Sequence, residues 1–167
     1  CGQKVKFLSF ITSFTQTFAS NWNTEAVYGR IDPIGTFQGN QRSISVGWDV
    51  PAGTLSEATN NQTLISTLIK MLYPSYEVGN NALTLSKSPL IRIKYSSLIS
   101  DSNGGGLLGY ITSLSWNPVI EMGFFQEGQE LYPKVISLNI DFNVLHEGDK
   151  GWSNNAWLGK GATFPFN

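Results

Sequence analysis

Residues 135–147 read VISLNIDFNVLHE, and this stretch decides the fold. Apolar and polar side chains alternate along it. Successive side chains of a β-strand point to opposite faces of the sheet, so a period of two predicts a strand with one buried face and one wet face. Strands of this kind are typical of antiparallel sheets. The apolar set is Ile136, Leu138, Ile140, Phe142 and Val144, and the polar set is Ser137, Asn139, Asp141 and Asn143.

The same period recurs in three other segments, which read RSISVGWDV at 42–50, PLIRIKYSSL at 89–98 and LGYITSLSW at 108–116. Four one-sided strands predict a largely antiparallel sheet system. The N-terminal segment KVKFLSFITSFTQTF at 4–18 is ambiguous, because Phe recurs in it every fourth residue. We expect this segment to be extended, since Ser, Thr and β-branched side chains favour strands.

One segment, residues 54–74, has the helical period instead. It reads TLSEATNNQTLISTLIKMLYP, and its apolar residues fall on one side of a helix. Thr54 and Glu57 form a capping box at its start, and Pro74 closes it. A helix of about 18 residues set between strands has to lay its apolar stripe on a sheet. The fold class predicted is α+β, mainly β, with one principal amphipathic helix.

Composition limits the class of protein. The chain has 167 residues, 41% of them apolar, and we expect one domain, 1–167. Eleven basic and twelve acidic residues give a net charge of -1, so neither a nucleic-acid arm nor a polybasic membrane patch is present. Only 14% of residues are charged, so much of the surface is neutral polar or covered by other chains. No segment approaches the roughly 18 apolar residues of a membrane span, and we expect a soluble chain with no membrane contact.

The single cysteine, Cys1, gives no disulfide framework, and no Cys/His spacing suggests zinc. We expect neither a metal nor a cofactor. A chain that starts at Cys without Met fits either a processed bacterial lipoprotein or a chain lacking an N-terminal segment. We expect the second.

Candidate catalytic residues are few. His146 is the single histidine, and no Ser elbow or Cys nucleophile accompanies it. Glu121, Glu127 and Glu130 lie in one loop and resemble the acid pair of a glycosidase, but solvated loop carboxylates are the simpler interpretation. The glycine run in SDSNGGGLLG at 100–109 lacks the helix and Lys of a phosphate loop, so we interpret it as a flexible connector. We therefore expect no enzyme and no catalytic residues.

Two segments carry candidate contact residues. In VYGRIDPIGTFQGN at 27–40, Arg30 and Asp32 form either an internal staple or a salt bridge across a subunit boundary, and both interpretations are open. Tyr28 and Phe37 flank this loop as candidates for contact with a neighbour. The tail 148–167 has no period, and its aromatic residues are candidate docking anchors, Trp152 and Trp157 among them.

The succession of these segments resembles a known class of proteins. The motifs are VYGR.DPI at 27–34, R.I...W.V.A at 42–52, EA..N at 57–61, LYP.Y at 72–76, PL..IK at 89–94 and HE at 146–147. Over roughly residues 5–152 the chain resembles structural proteins of the tail and baseplate of tailed bacteriophages. The likeness is greatest to the tube-forming or tube-initiating subunits of contractile tails.

This resemblance implies a fold, partners and a location. Such subunits fold as two packed antiparallel sheets, a barrel-like sandwich with one flanking helix and a long loop. Six of them join sheet edges into a ring, and stacked rings form a channel through which DNA passes transiently and without sequence preference. The partners implied are further copies of the chain and adjacent tail or baseplate proteins. The location implied is the virion tail, and the host cytoplasm during assembly.

A channel for DNA should be wet and should hold phosphate weakly, because each Lys or Arg contact adds salt-dependent affinity. The face formed by Ser137, Asn139, Asp141 and Asn143 meets that requirement and is the candidate channel lining. Ser43, Ser45 and Asp49 meet it as well. Arg92 and Lys94 do not, and we expect their strand to face elsewhere.

Two other classes remain open. An extracellular carbohydrate-binding β-sandwich would use Trp152 or Trp157 as a sugar platform and would be a stable monomer. An enzyme would require Glu121, Glu127, Glu130 and His146 to converge in one pocket.

Overall fold

The computed structural model describes residues 4–79, 82–96, 98–100, 105–148, 150–159 and 164. The described chain is mainly β, with one α-helix, α1 (Leu55–Lys70), and a short 3-10 helix, Ile120–Met122. Its strands are β1 (Phe10–Glu25), β2 (Ile34–Pro51), β3 (Ser75–Gly79), β4 (Ala82–Lys87), β5 (Ile91–Ile93), β6 (Leu107–Pro118), β7 (Phe124–Glu127), β8 (Glu130–Pro133), β9 (Val135–Val144), β10 (Trp152–Ser153) and β11 (Ala156–Trp157).

A five-stranded antiparallel sheet in the order β1-β2-β9-β6-β5 dominates the structure. β9 lies at its centre, and its apolar side chains face those of β2, as in the pairs Ile44↔Phe142 and Trp48↔Leu138. The alternation read in the sequence is confirmed, because every apolar position from Ile136 to Val144 is buried. The segment at 4–18 is also extended as expected, and β1 begins in it.

Helix α1 covers the apolar face of this sheet. Ala58, Ile65 and Leu68 are its buried residues, and the last two belong to the same apolar cluster as the strand residues. The predicted cap is present, since the backbone N–H of Glu57 donates to Thr54 Oγ1 over 3.3 Å. The Glu57 carboxylate accepts from the N–H of Gly53 over 2.8 Å, one residue before the cap. The helix prediction is confirmed, and its end at Lys70 falls before Pro74.

The described residues do not confirm the sandwich of two packed sheets that the resemblance implies. They form one large sheet and three two-stranded hairpins, β3 with β4, β7 with β8 and β10 with β11. The core lies between the large sheet and α1 instead of between two sheets. The tail expected to be irregular at 148–167 contains the hairpin of β10 and β11, and residues 149, 160–163 and 165–167 lie outside the described chain. The expected connector at 100–109 lies partly outside it too, at 101–104.

A long two-stranded arm extends from one end of the sheet. β1 and β2 have 16 and 18 residues, but β9 pairs with β2 only between Arg42 and Pro51. Residues 19–41, here called the arm, therefore project about 23 Å beyond the last residue of β9. All residues from 19 to 38 are exposed, and both edges of the arm lack a partner strand among the described residues.

We predict that Leu138→Ala lowers the free energy of unfolding by about 3 kcal/mol, because it leaves a cavity under a fully buried side chain. Urea unfolding followed by tryptophan fluorescence measures the change. Leu131→Ala is the matched control, since Leu131 is 61% exposed and should cost less than about 0.5 kcal/mol. Equal losses in the two variants would contradict the placement of the core.

Candidate functional site

The face of the large sheet opposite α1 carries mainly polar side chains across four strands, with Phe10 and Tyr110 at its two ends. The strand register aligns its residues in rows, one of which runs Thr15, Ser45, Asp141, Ser113 from β1 to β6. The next row follows the same order with Ser13, Gly47, Asn139 and Ser115. We call this surface the polar face, and its members on β2, β9 and β6 are Ser43, Ser45, Gly47, Asp49, Ser137, Asn139, Asp141, Asn143, Ser113, Ser115 and Asn117.

Hydrogen bonds between strands organise the polar face. The Ser45 hydroxyl donates to the Asp141 carboxylate, and the Ser137 hydroxyl donates to that of Asp49. Thr112 Oγ1 donates to the backbone carbonyl of Asp141 over 3.1 Å. The two carboxylates are the charged groups of the face, and neither Lys nor Arg is among the members named above. The surface therefore offers hydroxyl and amide groups with negative charge.

Gly47 lies in the middle of this face because there is no room for a side chain. A Cβ at that position would collide with the side chains of Asn139 and Ser13. These two side chains lie over the backbone of Gly47 from the strands on either side. The glycine therefore lets polar groups from three strands pack closely.

The strand that carries Arg92 belongs to this sheet, and its register places Arg92 on the same side as the polar face. The expectation that this residue faces elsewhere is therefore wrong. β5 is the edge strand of the sheet, and Arg92 pairs in register with Leu108 of β6. The guanidinium donates to both carboxylate oxygens of Glu147, over 2.7 and 2.6 Å, and to the carbonyl of Gly106 over 3.1 Å. Its charge is thus paired with a carboxylate at the border of the sheet.

The residues predicted as a loop lock lie at the tip of the arm. The N–H of Arg30 donates to the carbonyl of Val27 over 3.2 Å, and Gly29 supplies the left-handed backbone of this turn with φ of 85°. Within the described residues no hydrogen bond or ion pair joins the side chains of Arg30 and Asp32. The single chain does not form the internal staple, and the salt bridge between subunits stays a prediction.

Aromatic residues of the arm are exposed. The side chain of Tyr28 is fully exposed at the tip. Phe37 packs edge to face against Trp22, with ring centroids 5.2 Å apart, and Trp22 lies over Gly35. Sequence reasoning named Phe37 but not its pairing with Trp22, which only the register of the hairpin reveals.

The two tail tryptophans pack on each other, and Phe164 links them to Phe18 of β1. Trp152 and Trp157 meet edge to face with centroids 5.6 Å apart, and Phe164 lies 5.5 Å from Trp157. Phe164 in turn contacts Phe18, just before the arm, at 6.2 Å. Trp157 is therefore partly covered within the chain, and Trp152 remains largely exposed.

Arg42 is a buried cation that sequence reasoning missed. Its Nε and Nη2 donate to Gln16 Oε1 over 3.2 and 2.8 Å, and the rings of Phe18 and Phe164 lie 5.4 and 5.7 Å from the guanidinium carbon. Among the described residues no carboxylate pairs with it. Burial lowers the pKa of Arg42. The burial of Arg42 could have been predicted from its position, because it lies two residues before Ile44 and so on the buried side of the alternation.

His146 lies just past β9, at the end of the sheet from which the arm extends. Burial lowers the pKa of His146, and the charges of Arg42 and Lys150 lower it further. Glu127 and Glu130 lie beyond the other end of β9, whose ten residues span about 30 Å. At that end the Tyr132 hydroxyl donates to the Glu130 carboxylate, and this bond is the main cause that raises the pKa of Tyr132. The constellation that an enzyme would have required is therefore not assembled.

Further searches add little to this geometry. In the described ranges, no three His, Cys, Asp or Glu residues lie together as a metal site would require. No described helix has the length and apolar character needed to cross a membrane. Neither the models of known protein families nor the curated proteins gave a match to this sequence. The polar face and the arm are therefore the features that indicate the function.

We predict that stability falls as the pH drops below about 6.5, because His146 binds a proton less tightly in the folded chain than in the unfolded one. Above that pH both states are neutral at this residue and no penalty arises. His146→Gln should remove this part of the acid loss while matching the parent slope between pH 7 and 8. Chemical unfolding at stepped pH measures it, and an unchanged acid loss in the variant would contradict the assignment.

Proposed function

We propose that this chain is a structural subunit of a contractile phage tail. It forms an oligomeric ring of the tail tube or of its baseplate-proximal initiator, and the polar face lines a channel for DNA. The observation that carries the proposal is the polar face itself, whose members are polar in register and whose charged groups are the carboxylates of Asp49 and Asp141. Arg92 lies on the same side at the border of the sheet, where its charge is paired with Glu147. A surface of hydroxyl, amide and carboxylate groups, whose border guanidinium is already paired, holds phosphate weakly and lets DNA slide past.

The burial of the sheet supports this orientation. Its other face is committed to the core beneath α1, where Leu138 and Phe142 are fully buried. Asn139 and Asp141 lie between them on the same strand and are exposed. The polar face is thus broad and open in the single chain, and a DNA channel requires such a wall.

Unpaired strand edges support assembly. β1 is an edge strand of 16 residues, and both edges of the arm are open among the described residues. Free backbone N–H and C=O groups along an edge are satisfied when another chain adds a strand, and isolated two-stranded hairpins are only marginally stable. In the proposed ring, neighbouring subunits join these edges into a tail-tube-like wall. The resemblance gives six subunits, with adjacent tail or baseplate proteins as further partners.

Exposed aromatic residues fit the same proposal. Tyr28, Phe37 and Trp152 each expose half or more of their surface, although the chain has only 14% charged residues to keep it dispersed. Large exposed apolar side chains mark surfaces that other proteins cover. We assign them to contacts with neighbouring subunits or tail proteins.

A carbohydrate-binding module is the second candidate, and the exposed ring of Trp152 is the observation that favours it. Trp157 serves it less well, because Phe164 packs against its ring. A glycan array separates the two proposals. Strong binding to a defined sugar, lost in Trp152→Ala, would favour the module.

We predict that the purified protein forms closed rings or short tubes at high concentration or on a baseplate template. Negative-stain images and native mass measurement show the number of copies. Asn40 lies on the arm, where β2 pairs with β1 alone. Asn40→Pro should therefore reduce ring formation more than Ser56→Pro, which lies in the first turn of α1, where proline is tolerated. A species that stays monomeric under both conditions would overturn the proposal.

We predict that Asp141→Lys leaves assembly intact and raises the affinity of the rings for DNA. The slope of log affinity against log salt should steepen by about 0.9 for each phosphate contacted. Thr63→Lys is the control, because it adds a lysine on exposed α1, across the sheet from the polar face. Gains are compared per unit of charge, since Asp141→Lys replaces an anion and Thr63→Lys a neutral residue. Equal affinity gains in both variants would show that the polar face does not meet the DNA. Filter binding or anisotropy at several salt concentrations measures the difference.

A further inference from the structure

The two ends of the large sheet each expose an apolar surface that carries charge. At one end is the tip of the arm, residues 27–34. At the other is the segment between β6 and β9, residues 119–134, here called the far end, which contains the short 3-10 helix, β7 and β8. Both segments are described throughout, and neither is part of the polar face.

The tip combines apolar side chains with one cation, Arg30, and one carboxylate, Asp32. Tyr28 and Ile31 are fully exposed, and Val27 and Ile34 are exposed by about two fifths. Arg30 is the single basic residue of the tip, and no carboxylate of the described chain pairs with it. The tip therefore presents a guanidinium that is not paired with the neighbouring Asp32 and lies among exposed apolar side chains.

The far end combines apolar side chains with an excess of carboxylates. Ile120, Met122 and Leu131 are exposed by 72%, 57% and 61%. Its charged residues are three carboxylates and one ammonium, Glu121, Glu127, Glu130 and Lys134. The ammonium of Lys134 lies 5.3 Å from the centre of the Phe125 ring.

Two of these carboxylates oppose each other. Glu127 and Glu130 are register partners in the hairpin of β7 and β8. Like charges directly opposite in an antiparallel pair destabilise it. Glu130 accepts a hydrogen bond from Tyr132, but no described cation forms an ion pair with either carboxylate. A cation from outside the chain would relieve this repulsion.

The charges exclude a symmetric contact between two far ends, which would double the carboxylates in one place. Lys4 and Lys6, near exposed Leu8, are the cations of another apolar segment. That segment leads into β1 beside Asp49, so it lies at the same end of the sheet as the far end. Copies that follow one another along the strand direction would therefore not bring this segment onto the far end of a neighbour. The tip lies at the opposite end of the sheet and carries the missing cation.

We propose that the tip of one copy docks on the far end of a second copy, with Arg30 between the carboxylates of Glu127 and Glu130. Tyr28 and Ile31 then cover Ile120, Met122 and Leu131. The two surfaces differ and lie at opposite ends of the large sheet. The contact is therefore heterologous and repeats from copy to copy. The inference deepens the proposed function, on which it rests for its partner, and it supplies the link between successive rings.

Cross-linking of single-cysteine proteins tests the docking directly. In a Cys1→Ser background, one protein carries Val27→Cys at the tip and another carries Met122→Cys at the far end. A flexible bis-maleimide should join the two proteins at least about tenfold more efficiently than it joins either to itself, as a preference of about 1.4 kcal/mol implies. Tyr73→Cys, 70% exposed after α1, replaces Met122→Cys as the control and should give background yield. A mixed yield no higher than this control overturns the proposal.

A charge exchange shows whether Arg30 is responsible. Arg30→Glu in the tip protein should lower the mixed yield about tenfold, and Glu127→Arg in the far-end protein should restore much of it. Arg30→Ala should lose less than Arg30→Glu, because it adds no repulsion. Circular dichroism confirms that each variant is folded. An unchanged yield with Arg30→Glu contradicts the assigned ion pair and overturns the proposal.

The proposed docking and the proposed ring can be disproved independently of each other. Closed rings in electron micrographs without the tip-to-far-end cross-link would retain the proposed function and overturn the docking. The specific cross-link in open chains of copies, with no closed ring, would retain the docking and overturn the ring.

Discussion

The one-sided burial of β9 is the constraint on which the rest of the structure depends. Leu138 and Phe142 are fully buried, and the residues between them face the opposite side of the sheet. A shift of one residue in the pairing of β9 would exchange the two faces and place Asp141 in the core. The large cost of burying a carboxylate fixes the register with β2 and β6. The polar face is therefore a consequence of how the core is built.

The features visible in the sequence were those set by local chemistry. The alternation at 135–147 and the cap formed by Thr54 and Glu57 depend on neighbours within a few residues, and the structure confirms both. The arm was not visible, because its length depends on where β9 stops pairing with β2. The burial of Arg42 and the packing of Trp157 on Phe164 were also missed, since each depends on residues far apart in the chain. The polar residues of β9 and β2 on this face could be named in advance, but the contribution of β6 and the alignment across four strands required the register.

The polar face and the arm are two parts of one sheet with different surroundings. Where five strands pair, one face is closed by α1 and the other is left open and polar. Where only β1 and β2 continue, the core has ended. The aromatic residues there stay exposed, and the open edges have no partner strand among the described residues. An arm of two strands is only marginally stable by itself, and in the proposed assembly a neighbour would add to its stability. Assembly would satisfy the arm without using the polar face.

A cryo-electron microscopy reconstruction of the assembled protein tests the central claim most directly, because it shows where the polar face points. The account predicts a closed ring in which Asn139 and Asp141 face the central channel and α1 lies farther from the axis. A ring in which these residues face outward, or are buried between subunits, would contradict it.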